Sequence, residues 1–274
     1  MTLMLGVSRK SLADVGERLD QIVADGDVDT DALGEELFQV LHVLDPAHSL
    51  RRVISDPSYA EDRKSELVRS LFGGHVGTET FDVLDAVVRA RWSRGADLVD
   101  AVEAMAVTAE ATRAERDGRL DDLEDELFRF RRIVQGQPRL RAALSDPALP
   151  AERKDELLRA LLADKVTPPA LRLATEVATH ARGRTLDRGL EVYGDIVAER
   201  RRRLVALVRT AVPLSDEQRG RLAAVLASAY GHDVHLNVEL DPDVMGGLSV
   251  QVGDEIIDGT IAGRLEEVRR RFSG

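Results

Sequence analysis

The chain repeats itself at an offset of about 90 residues, and that repeat limits the folds open to it more than any other feature. Leu50–Phe72 reads LRRVISDPSYAEDRKSELVRSLF, and Leu140–Leu162 reads LRAALSDPALPAERKDELLRALL. Ser55-Asp56-Pro57 matches Ser145-Asp146-Pro147, Arg63-Lys64 matches Arg153-Lys154, and Glu66-Leu67 matches Glu156-Leu157. The match extends back to Glu35-Glu36-Leu37-Phe38 against Asp125-Glu126-Leu127-Phe128, and forward, with a small shift, to Arg94-Gly95 against Arg182-Gly183. Such a period is too long for a solenoid unit and fits a duplicated small domain.

Within each copy the apolar residues recur at helical spacing. The pattern predicts helices over Ser8–Ala24, Thr30–Leu44, Leu50–Ile54, Glu61–Phe72, Thr78–Trp92 and Ala96–Arg116. Pro57 stops the third, because the residue before proline avoids the helical region. Gly73-Gly74 signals a C-cap for the fourth. In the second copy Leu120, Leu123, Leu127, Phe130 and Val134 form an apolar seam spaced 3, 4, 3, 4. Ala151–Leu162, Pro168–Ala181 and Leu186–Arg203 follow as helices. Ala96–Arg116 is expected to close the first copy and to open the second.

From Leu204 the pattern changes. Leu204–Val212 has the β-branched content of a strand, and Ser215 with Gln218 makes a capping box for a helix lined by Leu222, Val225, Leu226 and Ala229. In Asp233–Leu240, Val234, Leu236, Val238 and Leu240 alternate with polar residues, the period of a half-buried strand. Leu248, Val250 and Val252 repeat that alternation, Gly253-Asp254 marks a tight turn, and Glu255-Ile256-Ile257 can return antiparallel. Asp258 can N-cap a closing helix with Ile261, Leu265 and Val268 on one face. The fold class is therefore mainly α: two tandem helical bundles, residues 1–97 and 98–203, followed by a small α/β C-terminal domain, residues 204–274.

Charge and composition narrow the function classes. The net charge is −11, with 38 Lys and Arg against 49 Asp and Glu, so nucleic acid is not expected as a partner. There is no cysteine, hence no disulfide framework and no thiolate metal site. No apolar run approaches the ~20 residues that span a bilayer, so the chain is expected at a membrane only through partners.

The candidate chemical motifs reduce to structure. His232 and His235 flank Asp233, but no further His or Cys cluster adds ligands, and His42, His48, His75 and His180 are isolated along the chain. No metal site is expected, since structural zinc wants four ligands. Arg200–Arg203 read as cations closing a helix, with a polar contact to an acidic partner helix as the alternative. Gly246, Gly247 and Gly253 lead into strands instead of a helix N-terminus, so they are turn residues and not a phosphate cradle. No GxSxG, HExxH or CxxC motif occurs. The expectation is a chain with no catalytic site and no cofactor.

The run Pro242, Asp243, Met245, Gly246, Gly247, Val250, Val252, Gly253, Asp254, Ile257, Asp258, Gly259, Gly263, Arg264 and Leu265 closely resembles the C-terminal signature of the delta subunit of F-type ATP synthases. The mitochondrial members are called the oligomycin sensitivity-conferring protein. An ordinary member resembles Leu98–Gly274, one helical bundle and then an α/β domain, which makes Met1–Asp97 an extra bundle. The longer plan is similar to delta subunits of high-GC Gram-positive bacteria. The resemblance implies a non-catalytic stator subunit of a proton-translocating synthase, peripheral at the cytoplasmic face of the cell membrane. It implies that the bundle grips amphipathic N-terminal helices of alpha subunits on the catalytic head. It implies that the C-terminal domain engages a b-type peripheral stalk. Pro242, Gly246, Gly247, Gly253, Asp258, Gly259, Gly263 and Arg264 are then structural signature residues, and Leu127, Phe130, Leu157 and Leu161 are the candidate alpha contacts. The alternative from another class is a free-standing helical adaptor or regulatory protein.

Overall fold

The sequence repeat is a repeat of buried positions. Leu33, Leu37, Val40 and Leu44 are buried, and so are their partners Leu123, Leu127, Phe130 and Val134 in the other copy. The same holds for Ile54 and Leu144, Val68 and Leu158, and Val87 and Val177. The computed structural model describes residues 6–24, 28–203, 205–230, 234–241, 244, 247–252 and 255–258. The chain divides into two compact units, Met1–Ala198 and Glu199–Gly274.

The first unit is helical. The first copy supplies α1 (Val7–Ala24), α2 (Thr30–Leu44), α3 (His48–Ser55), α4 (Glu61–Phe72), α5 (Thr78–Arg89) and α6 (Gly95–Arg116). The second supplies α7 (Leu120–Gly136), α8 (Pro138–Ser145), α9 (Ala151–Leu162), α10 (Pro168–Thr179) and α11 (Leu186–Arg203). α6 is buried on every side: Leu98, Val99, Val102, Met105, Ala106, Val107 and Ala109 all lie in the core. Buried acids Asp97, Glu103 and Glu110 lie on the same helix, so its enclosure demands partners for charge as well as for apolar side chains. α6 packs against α1, α2, α3 and α5 of the first copy and against α7 and α10 of the second, so both copies share it.

Duplicated side chains do duplicated work. Glu36 Oε2 accepts from the Gly77 amide at 2.8 Å and from Thr80 Oγ1 at 2.5 Å, closing the N-terminus of α5. Glu126 Oε2 accepts from the Thr167 amide at 2.8 Å and from Thr167 Oγ1 at 2.7 Å, closing α10. A carboxylate on free helix amides satisfies donors that otherwise have no partner and complements the helix dipole. Asp56 and Asp146, from the shared Ser-Asp-Pro, each accept from an amide two residues on, Ser58 and Ala148 respectively, both at 2.8 Å. Lys64 and Lys154 are both buried; Lys154 Nζ donates to the Ala178 carbonyl at 3.1 Å, near the end of α10, and burial pushes the Lys64 amine below its usual pKa.

Gly73 is the C-cap of α4 as expected, in a right-handed conformation with φ −63° and its amide on the Arg69 carbonyl. Glycine is needed there because a Cβ would lie 2.7 Å from the Arg69 carbonyl. α5 stops at Arg89, short of Trp92, whose Nε1 donates to the Val87 carbonyl at 2.8 Å and folds the exit back on the helix.

The second unit is α/β. β1 (Val205–Thr210), α12 (Asp216–Tyr230) and β2 (His235–Leu240) form a parallel crossover, and β3 (Leu248–Val252) and β4 (Glu255–Asp258) complete a sheet in the order β2-β1-β3-β4. β1 pairs parallel with β2, Val208 opposite Val238, and antiparallel with β3, Val208 opposite Val250. The core gathers Ala206, Val208, Leu226, Val234, Val250 and Val252. The capping box forms in both directions: Ser215 N donates to Gln218 Oε1 at 2.9 Å, and Gln218 N to Ser215 Oγ at 3.2 Å. Leu240 departs from the expected alternation and is exposed, because it ends an edge strand past the core. The expected closing helix, including Gly259, Gly263 and Arg264, lies outside the described residues, as do Pro242, Gly246 and Gly253. Gly247 has φ +82° directly before β3, a conformation glycine enters without cost, and Asp258 ends β4 opposite Ser249.

Candidate partner-binding surface

The joint between the two copies in the first unit is polar, and burial dictates how it is built. A buried charge must be paired and hydrogen-bonded. Arg172 on α10 reaches α2 and α6: its guanidinium is 2.8 Å from Asp31 Oδ1, 3.6 Å from Glu35 Oε2 and 2.9 Å from Glu110 Oε1. Glu110 Oε2 has no hydrogen-bond partner, and burial lifts this carboxyl to a pKa of about 7 against the pull of Arg172 and Arg113. Arg182, in the loop before α11, pairs with Asp45 at 3.2 Å, with Asp100 at 2.9 Å and with Glu103. It has φ +49° and is followed by Gly183 at φ +71°, a left-handed turn that aims the guanidinium inward. Burial opposes its charge, but Glu103, Asp100 and Asp45 outweigh burial and raise its pKa. Glu103 also accepts from Arg184 and, at 3.0 Å, from Tyr193 Oη. Burial and the Glu103 charge push the Tyr193 phenol well up.

Two of the histidines that look isolated in sequence meet here. His42 on α2 and His180 after α10 stack with ring centroids 3.6 Å apart. Glu176 Oε1 lies 2.7 Å from His42 Nε2 and 3.5 Å from His180 Nδ1. Burial works against ionised Glu176, yet the bonds from His180 and His42 hold its pKa below the usual value. These three donors lie within 4.8 Å of one another and are the described group that could take a metal ion; they fall one short of a closed zinc site. The sequence gives no sign of the pairing, because His42 and Glu176 are 134 residues apart. His235 and His232 offer nothing to compare, since their side chains lie outside what is described.

The candidate contacts divide by exposure. Leu127 and Phe130 are core residues of the seam along α7. Leu157 is half-buried and Leu161 is exposed. The large exposed apolar residues of α7 are instead Phe128, 58% exposed, and Ile133, 51% exposed. Both stand off the 3, 4, 3, 4 seam, which is the signal that could have found them: a bulky apolar residue on the wrong side of an amphipathic helix. Phe128 carries the Arg132 guanidinium 5.9 Å from its ring centre.

No described helix is long and apolar enough to cross a membrane. The sequence profile of the ATP synthase delta (OSCP) subunit matches residues 104–272. The chain is 52% identical over 271 residues to ATP synthase subunit delta of Thermobifida fusca (strain YX), covering 99% of this chain and 100% of that one. It is 51% identical over 271 residues to the protein of that name from Streptomyces griseus, with the same coverage. The Acidothermus cellulolyticus protein of that name is 45% identical over 273 residues, across 98% of this chain and 100% of that one. The profile spans the second helical copy and the α/β unit, while these relatives span the duplication as well; the chain belongs to the ATP synthase delta (OSCP) subunit family.

Proposed function

We propose that the chain is a stator link of a proton-translocating ATP synthase, a non-catalytic subunit that holds the catalytic head against the torque of the rotor. The observation that carries this reading is full-length similarity to proteins named ATP synthase subunit delta. The physical task is static: to bind at both ends and not to stretch. Densely packed helices closed by ion pairs suit it, because close-packed interiors transmit strain with little compression. The second copy and α7 are the part we assign to amphipathic N-terminal helices of alpha subunits, in helix-in-groove fashion. Exposed Phe128, Ile133 and Leu161 and half-buried Leu157 supply the apolar contact, with Leu127 and Phe130 backing it from the core. We assign the α/β unit, with its signature glycines, to the b-type peripheral stalk. The chain then sits at the cytoplasmic face of the cell membrane, held there by its partners.

The test is reassembly. Membranes carrying the synthase are washed at low ionic strength until this chain is released, and proton-driven ATP synthesis is measured before and after purified chain is returned. Loss on washing and recovery on return are expected. A chain found only away from membranes, with synthesis indifferent to its removal, would support a free-standing adaptor instead.

A further inference from the structure

α2 and α7 occupy the same place in the two copies, and their outward stripes can be compared residue by residue. On α2, Asp31, Glu35, Phe38 and His42 stand at i, i+4, i+7 and i+11, one line along the helix. On α7 the same stations hold Asp121, Asp125, Phe128 and Arg132. Both stripes read acid, acid, phenylalanine, then a nitrogen base, histidine in one and arginine in the other. Their surroundings differ. The α2 stripe is met by α10 and α11, which bury Phe38 and leave Glu35 exposed: Arg172 pairs with Asp31 and Glu35, Glu176 binds His42, and the Tyr193 ring lies 6.4 Å from Phe38. Phe38 is 4% exposed, whereas Phe128 is 58% exposed. Other apolar stations do not diverge in this way. Val43 and Ile133 are exposed alike, and so are Leu71 and Leu161. The contrast therefore belongs to the covered stripe and not to a general difference between the copies.

We propose that the Asp121–Asp125–Phe128–Arg132 stripe of α7 is a docking surface for a helix of another synthase subunit, one that carries a cation and an acid four residues apart beside an apolar side chain. The covering of α2 gives the template. Arg172 and Glu176 are four apart on α10, with Arg172 toward the N-terminal acids of α2 and Glu176 toward the imidazole of His42 near its C-terminus. The incoming helix accordingly runs in the same sense as α7, its Arg or Lys against Asp121 and Asp125 and its Glu or Asp against Arg132. An apolar neighbour closes over Phe128, as Tyr193 closes over Phe38. A second copy of this chain is a poor occupant, because its own Arg172, Glu176 and Tyr193 are already engaged on its own α2. The assignment rests on the stator reading and specifies which face of the bundle that reading uses.

The experiment uses full-length chain and washed synthase. The chain has no cysteine, so Phe128→Cys and, as control, Val43→Cys each introduce a single thiol for a short photo-crosslinker. Phe128→Glu and Asp125→Arg are tested for rebinding, with Val43→Glu as the control at an exposed apolar site common to both copies. All these positions are exposed, and unchanged thermal unfolding checks that the variants fold. The expected result is crosslinking to one synthase subunit from position 128 and none from 43. Rebinding weakens on the order of 10-fold or more for Phe128→Glu and Asp125→Arg, as for a buried aromatic anchor and its charge partner, and is unchanged for Val43→Glu. Rebinding of wild type and of Phe128→Glu with equal affinity would overturn the docking stripe and leave the stator role standing. Failure of wild type to rebind would overturn both. A crosslink only to another copy of this chain would overturn the choice of occupant, and the proposal with it.

Discussion

Glu110 is the residue whose chemistry is most sharply set by its surroundings. Its side chain is wholly buried on α6, facing Arg172, Arg113 and Asp31, and its pKa stands at about 7 against an ordinary 4.5. An acid whose pKa rises on folding is protonated more readily in the native state, so its contribution is fully present below pH 4.5 and is lost as pH rises through about 7. Stability should fall across that window by on the order of 2–3 kcal/mol from this group. Glu110→Gln keeps an acceptor for Arg172 without the charge. Urea unfolding at pH 5 and pH 8 should show a flatter pH profile for the variant, with its gain confined to pH 8; equal profiles would show that Glu110 stays ionised throughout. Close approach decides a second residue. A Cβ at Gly189 on α11 would overlap Val177 on α10. Gly189→Ala should lower stability by about 1–3 kcal/mol through overpacking, despite the better helix propensity of alanine. Residue detail was legible where it is local. The Ser215–Gln218 box could be read because both partners lie within one turn. The His42–Glu176–His180 group could not, because only tertiary packing joins it.

Elements were legible to the extent that one periodicity governs them. The seam Leu120, Leu123, Leu127, Phe130 and Val134 is buried throughout, and its regularity identifies a core side. Core and contact look alike in sequence, however: Leu127 and Phe130 are buried, while Phe128, one step off the seam, is what the surface presents. The strand alternation in β2 likewise marks an inner face but not where the sheet runs out, and Leu240 lies past that point. Between elements, the caps repeat with the sequence. Glu36 and Glu126 each hold the start of a helix 41 residues on. Glu126→Ala leaves the Thr167 amide and hydroxyl without that acceptor and should cost about 1–2 kcal/mol. Glu36→Ala should cost a similar amount at α5. Thermal unfolding of both variants checks this, and a loss at only one of them would mean that the duplicated cap has diverged in role.

At the scale of the whole chain, the repeat foretold duplication but not how the copies are joined. Two separable bundles would each bury their own helices. Here α6 is enclosed by α1, α2, α3 and α5 on one side and by α7 and α10 on the other, and its buried acids Glu103 and Glu110 are met by Arg182 and Arg172 of the second copy. The partners of the second copy's buried charges also sit in the first. Arg172 pairs with Asp31, Arg182 with Asp45, and Glu176 with His42. Removing residues 1–97 would therefore bare the apolar side of α6 and take one partner from each of three charged groups, leaving Arg172 with Glu110, Arg182 with Asp100 and Glu103, and Glu176 with His180. A typical domain is held folded by only about 5–15 kcal/mol, and the apolar area bared along α6 contributes to that on the order of 25 cal/mol per Å². A chain of residues 98–274 is expected to self-associate or to unfold at a much lower temperature than the full protein. Sedimentation velocity and thermal unfolding of the two chains decide this: a monomeric fragment with an unchanged midpoint would mean that the second copy folds without the first. Restoring the lost partners by adding residues 1–97 in trans should recover the midpoint, because what the fragment lacks is a surface and not a covalent link.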